Sequence, residues 1–116
     1  NPDANCIYVA SDFAFSSVEN ALSAVDKLAP TGEENHVWVA ADDVNPMGYE
    51  AMKAGIIDLG TTWEAYSVSV LFVDTLNKLV KGEAVEKEYL ISGRLATPET
   101  VDSLEYLYSL DPKYTD

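Results

Sequence analysis

The stretch His36-Val37-Trp38-Val39-Ala40-Ala41-Asp42-Asp43-Val44-Asn45-Pro46 decides the fold. Val37 to Ala41 is a short apolar run, which suits a strand buried on both faces. The run ends abruptly in two carboxylates, Asp42 and Asp43. Asn45-Pro46 then reads as a helix start, with Asn45 as N-cap and Pro46 at the first helical position. A buried strand that carries acids to the edge of a sheet, just before a helix, is where open α/β folds place ligands.

The same pattern repeats on either side. Upstream, Cys6-Ile7-Tyr8-Val9-Ala10 reads as another buried strand. Ser11-Asp12 follows and can cap a helix. From Phe13 to Leu28, the residues Ala14, Val18, Ala21, Leu22, Val25 and Leu28 fall at helical spacing. Ala29-Pro30-Thr31-Gly32 breaks that helix. Downstream, the helix from Pro46 runs to about Ala54, with Gly55 at its C′ position. A third strand is expected over Ile56 to Thr62, ending at Trp63. Glu64 to Lys81 is a long helix with Ala65, Val68, Phe72, Leu76 and Leu79 on one stripe, closed by Gly82. Lys87 to Ile91 reads as a short extended segment. Thr97-Pro98-Glu99 opens a last helix with Val101, Leu104 and Leu107 on its apolar side. Residues 111–116 form a tail.

Strand, helix, strand, helix, strand, helix is the pattern of a parallel sheet with right-handed crossovers. The expected class is α/β, a three-layer Rossmann-like lobe. Three strands make a thin sheet for that architecture. Further strands are therefore expected upstream of Asn1, and Asn1-Pro2-Asp3 does not read as a natural start. An incomplete sheet exposes an edge strand, which predicts self-association.

Charge narrows the function. The chain has 20 acidic and 7 basic residues, a net −13. Such a surface repels a phosphate backbone and an anionic membrane face, so nucleic-acid binding by this chain is not expected. No apolar run is long enough to span a bilayer. The lone cysteine, Cys6, has no intramolecular disulfide partner and reads as a small core residue. The sequence has no glycine-rich phosphate loop, no Cys/His cluster and no Gly-x-Ser-x-Gly. An enzyme, a metal site and a cofactor are not expected.

Strands of a parallel sheet finish on the same side. That brings Ser11, Asp12, Asp42, Asp43 and Trp63 to one edge. Carboxylates accept hydrogen bonds from hydroxyls in pairs, and an indole packs on the C–H face of a sugar ring. Each residue also has a structural reading. Asp12 and Asn45 can be helix caps, Asp43 a solvated loop residue, Trp63 a packing residue and His36 a surface residue. Asp42 ends a buried strand and needs a partner. Asp12, Asp42 and Asp43 could also hold magnesium, as in a phosphorylatable receiver domain, although no strand here ends in the lysine such a domain needs.

The order of these features resembles a known family. Pro2 to Asp12, with a strand ending in a polar-Asp pair, is similar to a segment of type I sugar-binding proteins. Val39-Ala40-Ala41-Asp42 is similar to their next strand, commonly V-G-F-D, whose Asp grips sugar hydroxyls. Gly55 to Gly82 resembles the strand and long helix that follow. The resemblance, over Pro2 to about Asp102, is to ribose- and galactose-type solute-binding proteins of ABC importers. It implies a type I periplasmic-binding-protein fold, with residues 1–110 as the later part of the second lobe. It implies a monosaccharide-like sugar held by Ser11, Asp12, Asp42 or Asp43, and Trp63. It further implies an extracytoplasmic protein, periplasmic or a cell-surface lipoprotein, whose partners are an ABC permease and an N-terminal lobe. The chain departs from the pattern at three places. Ser11 replaces an Asn, Trp63 an amide, and Ala41 a frequent aromatic, which implies that the stacking surface has moved from Ala41 to Trp63. One extra residue separates Asp42 from the next helix, so Asp42 and Asp43 compete for the ligand role. The effector domains of LacI-type repressors share this fold and are the alternative lineage.

Overall fold

The computed structural model describes residues 3–104. Four strands form one sheet in the order β1-β2-β3-β4: β1 Cys6–Val9, β2 Trp38–Asp43, β3 Leu59–Thr62 and β4 Leu95–Ala96. The first three are parallel, and β4 is antiparallel to β3. The helices are α1 Phe15–Ser23, α2 Pro46–Lys53 and α3 Ala65–Val80. The class is α/β, as the sequence pattern requires. The expected extended segment at Lys87–Ile91 is not a strand; the fourth strand falls later, at Leu95–Ala96.

Both crossovers step from β1 to β3 in the same direction, so α1 and α2 land on one face. Phe15 and Leu22 of α1 and Met52 of α2 pack there on Val9, Val39 and Ala41, together with Ile57, Ala96 and Val101. Phe15 and Met52 are each 1 % exposed, and burying a side chain of that size contributes about 1.5–3 kcal/mol. The opposite face carries Tyr8, Trp38, Leu59 and Leu95, all exposed. The strands are therefore buried on one face, not on both. Their burial alternates residue by residue, as the period of two requires. Cys6 lies on the open side and is exposed, not in the core.

The first helix is shorter than its apolar spacing suggests. A 3-10 turn over Asp12–Ala14 precedes α1, and α1 stops at Ser23. Asp26 adopts the left-handed conformation at φ 57°, and the Lys27 N–H donates to Leu22 O at 2.9 Å. That closure consumes the last carbonyls of the helix, so Val25 is left in solvent.

At α2 the sequence signals hold. The Asn45 side chain accepts from the N–H groups of Met47 and Gly48, and Pro46 takes the first position. Gly55 follows the helix at φ +73°. Tyr49 and Lys53 both donate to Asp102 at 2.6 Å, which ties α2 to the turn after β4.

α3 has no buried residue. Its stripe of Val68, Phe72, Leu76 and Leu79 is exposed. The chain leaves the sheet at Trp63 and returns at Arg94. The two passages are clasped: Thr62 N–H donates to Arg94 O at 2.9 Å, Arg94 N–H to Thr62 Oγ1 at 3.2 Å and Thr62 Oγ1 to the buried Glu64 at 2.6 Å. The helix expected from Thr97 is only a 3-10 turn, Val101–Ser103, within the described residues. Leu107 and the tail lie outside them.

Candidate functional site

Parallel pairing sets the register Ala41 with Val9, Asp42 with Thr61 and Asp43 with Thr62. The ends of β1, β2 and β3 therefore meet at one edge. Ser11, Asp42, Asp43 and Trp63 lie along it, with Asp12 just beneath, as the strand register predicts. Their environments differ sharply.

Asp42 is half-buried and faces the open side of the sheet. Tyr8 Oη donates to its Oδ2 at 2.6 Å, and Thr61 Oγ1 donates to its Oδ1 at 2.6 Å. Both flanking strands thus hold it in one orientation. Accepting that bond, with the negative charge behind it, the Asp42 carboxylate pushes the Tyr8 hydroxyl above the usual phenol range. Tyr8 therefore stays a donor. A carboxylate accepts at about four sites, so Asp42 keeps acceptor sites beyond these two bonds. The sequence reading missed Tyr8 and Thr61. The period-two register could have found Tyr8, because it sets Tyr8 beside Ala40 on the face that also carries Asp42.

Asp43 points to the helix-covered side, since successive strand residues alternate. It is half-buried, and among the described residues its carboxylate has no hydrogen-bond partner. It begins the turn into α2 at φ 89°, and Val44 follows at φ 51°. Trp63 follows β3 directly and is 52 % exposed, so its ring is available to a partner. Ser11 is half-buried and precedes the 3-10 turn without a side-chain cap bond.

Asp12 is placed differently. It is 1 % exposed. It does not cap its own helix; the Asn45 N–H donates to its Oδ2 at 2.6 Å. Its Oδ1 has no partner among the described residues. Burial pushes this carboxyl up to about 6, against the lowering effect of the Asn45 bond. The group lies beneath the edge, not on it.

His36, expected at the surface, is buried at the opposite, amino edge. His36 Nε2–H donates to the Asp58 carboxylate at 3.0 Å, and Nδ1 lies 2.7 Å from Ala29 O. Both side chains are 7 % exposed. Among the described residues no group of three or more His, Cys, Asp or Glu could hold a metal ion.

No protein-family model matches the sequence, and no curated protein matches it. A solved structure does. The chain superposes with a TM-score of 0.76 and 16 % identity on an ABC transporter periplasmic solute-binding protein from Actinobacillus succinogenes 130z with bound D-allose. The match covers 90 % of this chain and 35 % of that one. At this identity the likeness is one of fold. The chain has the fold of about a third of a periplasmic solute-binding protein.

Proposed function

We propose that the chain is part of an extracytoplasmic solute-binding protein that takes a monosaccharide-sized sugar in a cleft and hands it to an ABC transporter. It is a binder, not an enzyme. One observation carries the reading: three strand ends bring an oriented carboxylate, Asp42, to the same edge as the exposed indole of Trp63. The fold supports it, since the similar solved protein is a solute-binding protein with a bound sugar. In this reading residues 1–110 form the later part of the second lobe. The edge is one wall of the cleft, and another lobe supplies the facing wall. Asp42 grips hydroxyls, Asp43 and Ser11 add polar contacts, and Trp63 stacks on the ring. Asp12 acts from below.

The receiver-like reading fits less well, because it needs Asp12 open beside Asp42 and Asp43, and Asp12 is buried. The outer edge of β1 is unpaired among the described residues. The chain by itself therefore self-associates in this reading, and a monomer in light scattering would count against that.

Calorimetry of the full-length protein with D-allose, D-ribose and D-galactose tests the reading. Asp42→Ala should cost about 2–4 kcal/mol of binding, because sugar hydroxyls lose their acceptor in a closed cleft. Unchanged affinity would remove Asp42 from the site, and no binding of any sugar would sink the proposal.

A further inference from the structure

The turn after Asp42 is held in a costly shape. Asp43 and Val44 sit at φ 89° and 51°. Side chains rarely enter this region, and a β-branched residue is the least suited to it. Such strain persists only where the surroundings over-determine it, and it gathers at ligand sites. Here the Val44 side chain is buried at 2 % exposure, and the Asn45 side chain is committed to the N–H groups of α2. The remaining tie is the Asn45 N–H, which donates to Asp12 on the neighbouring strand end.

Asp12 is closely housed for this. A Cβ on Gly48 would overlap its carboxylate, so the absent side chain at Gly48 makes the room. One carboxylate oxygen holds the Asn45 amide, and the other is buried with no partner among the described residues. Helix capping alone would not require a sealed carboxyl with an unused oxygen.

We propose that Asp12 is the positioning residue of this edge: through the Asn45 amide it fixes the Asp43–Val44 turn, and gain or loss of its proton resets how that turn presents Asp42 and Asp43. The last step rests on reading those carboxylates as the ligand site. The groups acting on Asp12 are consistent with such a role. Asp43 and Asp42, both at the end of β2, disfavour its charge. The first turn of α2, packed against it, brings no acidic side chain. Burial raises its carboxyl to about 6, so mildly acidic conditions bracket its proton. The anion is the stronger acceptor for the Asn45 N–H, yet it adds a third negative charge beside two carboxylates. Loss of the proton thus tightens the turn and makes the edge more negative.

The test is nuclear magnetic resonance on the labelled full-length protein, titrated across the mildly acidic to neutral range. The Asn45 amide should shift in one step centred near the Asp12 value of about 6, and the Asp12 carboxyl carbon should report the same midpoint. In Asp12→Asn the step should vanish while the circular dichroism stays that of the parent. If that variant does not fold, coincidence of the two midpoints in the parent decides. An Asn45 amide that does not titrate, or that keeps its step in a folded Asp12→Asn, overturns the proposal. Calorimetry of the full-length protein with D-allose, below and above the midpoint, separates the two readings. Affinity that changes several-fold in the parent and not in Asp12→Asn supports the whole chain of argument. A titrating Asn45 with no D-allose binding at either pH overturns the ligand reading and leaves the Asp12–turn coupling standing.

Discussion

Asp58 and Asp12 join neighbouring elements at opposite edges of one sheet, and they are served unequally. At the amino edge Asp58 accepts from the Val39 N–H at 2.8 Å, from Thr31 Oγ1 at 2.6 Å and from His36 Nε2 at 3.0 Å. At the carboxyl edge Asp12 accepts from the Asn45 N–H, and its other oxygen has no partner among the described residues. The backbone differs in the same sense. Beyond Asp42 two successive non-glycine residues sit at positive φ, whereas β3 is entered from Asp58 without such strain. A buried polar group with all its partners stiffens a fold; one left partly unsatisfied beside a strained turn marks where the fold has been bent to a task. The amino edge holds the sheet together. The carboxyl edge is where the structure carries cost.

The largest effect that can break this comparison is at the amino edge. Asp58→Ala removes the carboxylate that accepts from the Val39 N–H, the Thr31 hydroxyl and the His36 ring. Leaving the Val39 N–H and the His36 Nε2–H without that acceptor should cost about 2–4 kcal/mol in chemical denaturation. A loss under about 1 kcal/mol would mean that the edge is not a clasp.

Next comes Gly48→Ala. Alanine favours a helix interior over glycine by about 0.5–1 kcal/mol. The added methyl must displace the Asp12 carboxylate, and overpacking of that kind costs about 1–3 kcal/mol. The net change should be a loss, read as a lower unfolding midpoint. A gain in stability would show that Asp12 is not seated against α2.

The pH dependence follows from one shift. Folding raises Asp12 from its ordinary 3.8 to about 6. The native state therefore keeps this proton where the unfolded chain has released it. The resulting stability is complete below about 3.8 and is lost as the pH rises through about 6. Melting temperature should fall across that window in the parent and fall less in Asp12→Asn. A parent curve no steeper than the variant's would refute the assignment.

The smallest effect separates binding from folding. Trp63 is half-exposed, so Trp63→Ala should change stability by no more than about 0.5 kcal/mol. In the full-length protein it should still weaken sugar binding. A large loss of stability would return Trp63 to a packing role.

The second-helix signals were legible because they are local. Asn45, Pro46 and Gly55 act through their own backbone, and each lies where its chemistry demands. The convergence of Ser11, Asp12, Asp42, Asp43 and Trp63 was legible too, because parallel strands share a finishing edge. The burial of those residues was not. Trp38 and Tyr8 read as core because an apolar run does not say whether one face or both are covered. α3 shows the same limit. Its stripe predicts a helix, and Ala65–Val80 is one, but periodicity names a face without naming what meets it.

What the sequence by itself determined is the order of the first three strand–helix pairs, the capping of the second helix and the edge at which the acids arrive, all set by short-range preferences and by the parity of strands. Only the tertiary structure decided that Asp42 is gripped by Tyr8 and Thr61, and that His36 is buried against Asp58. It also decided that Asp12 lies beneath the carboxyl edge, bonded to Asn45. These pairs are separated by 19 to 34 residues along the chain. No local preference reaches that far; the contacts exist because strand register and helix docking place the groups within reach.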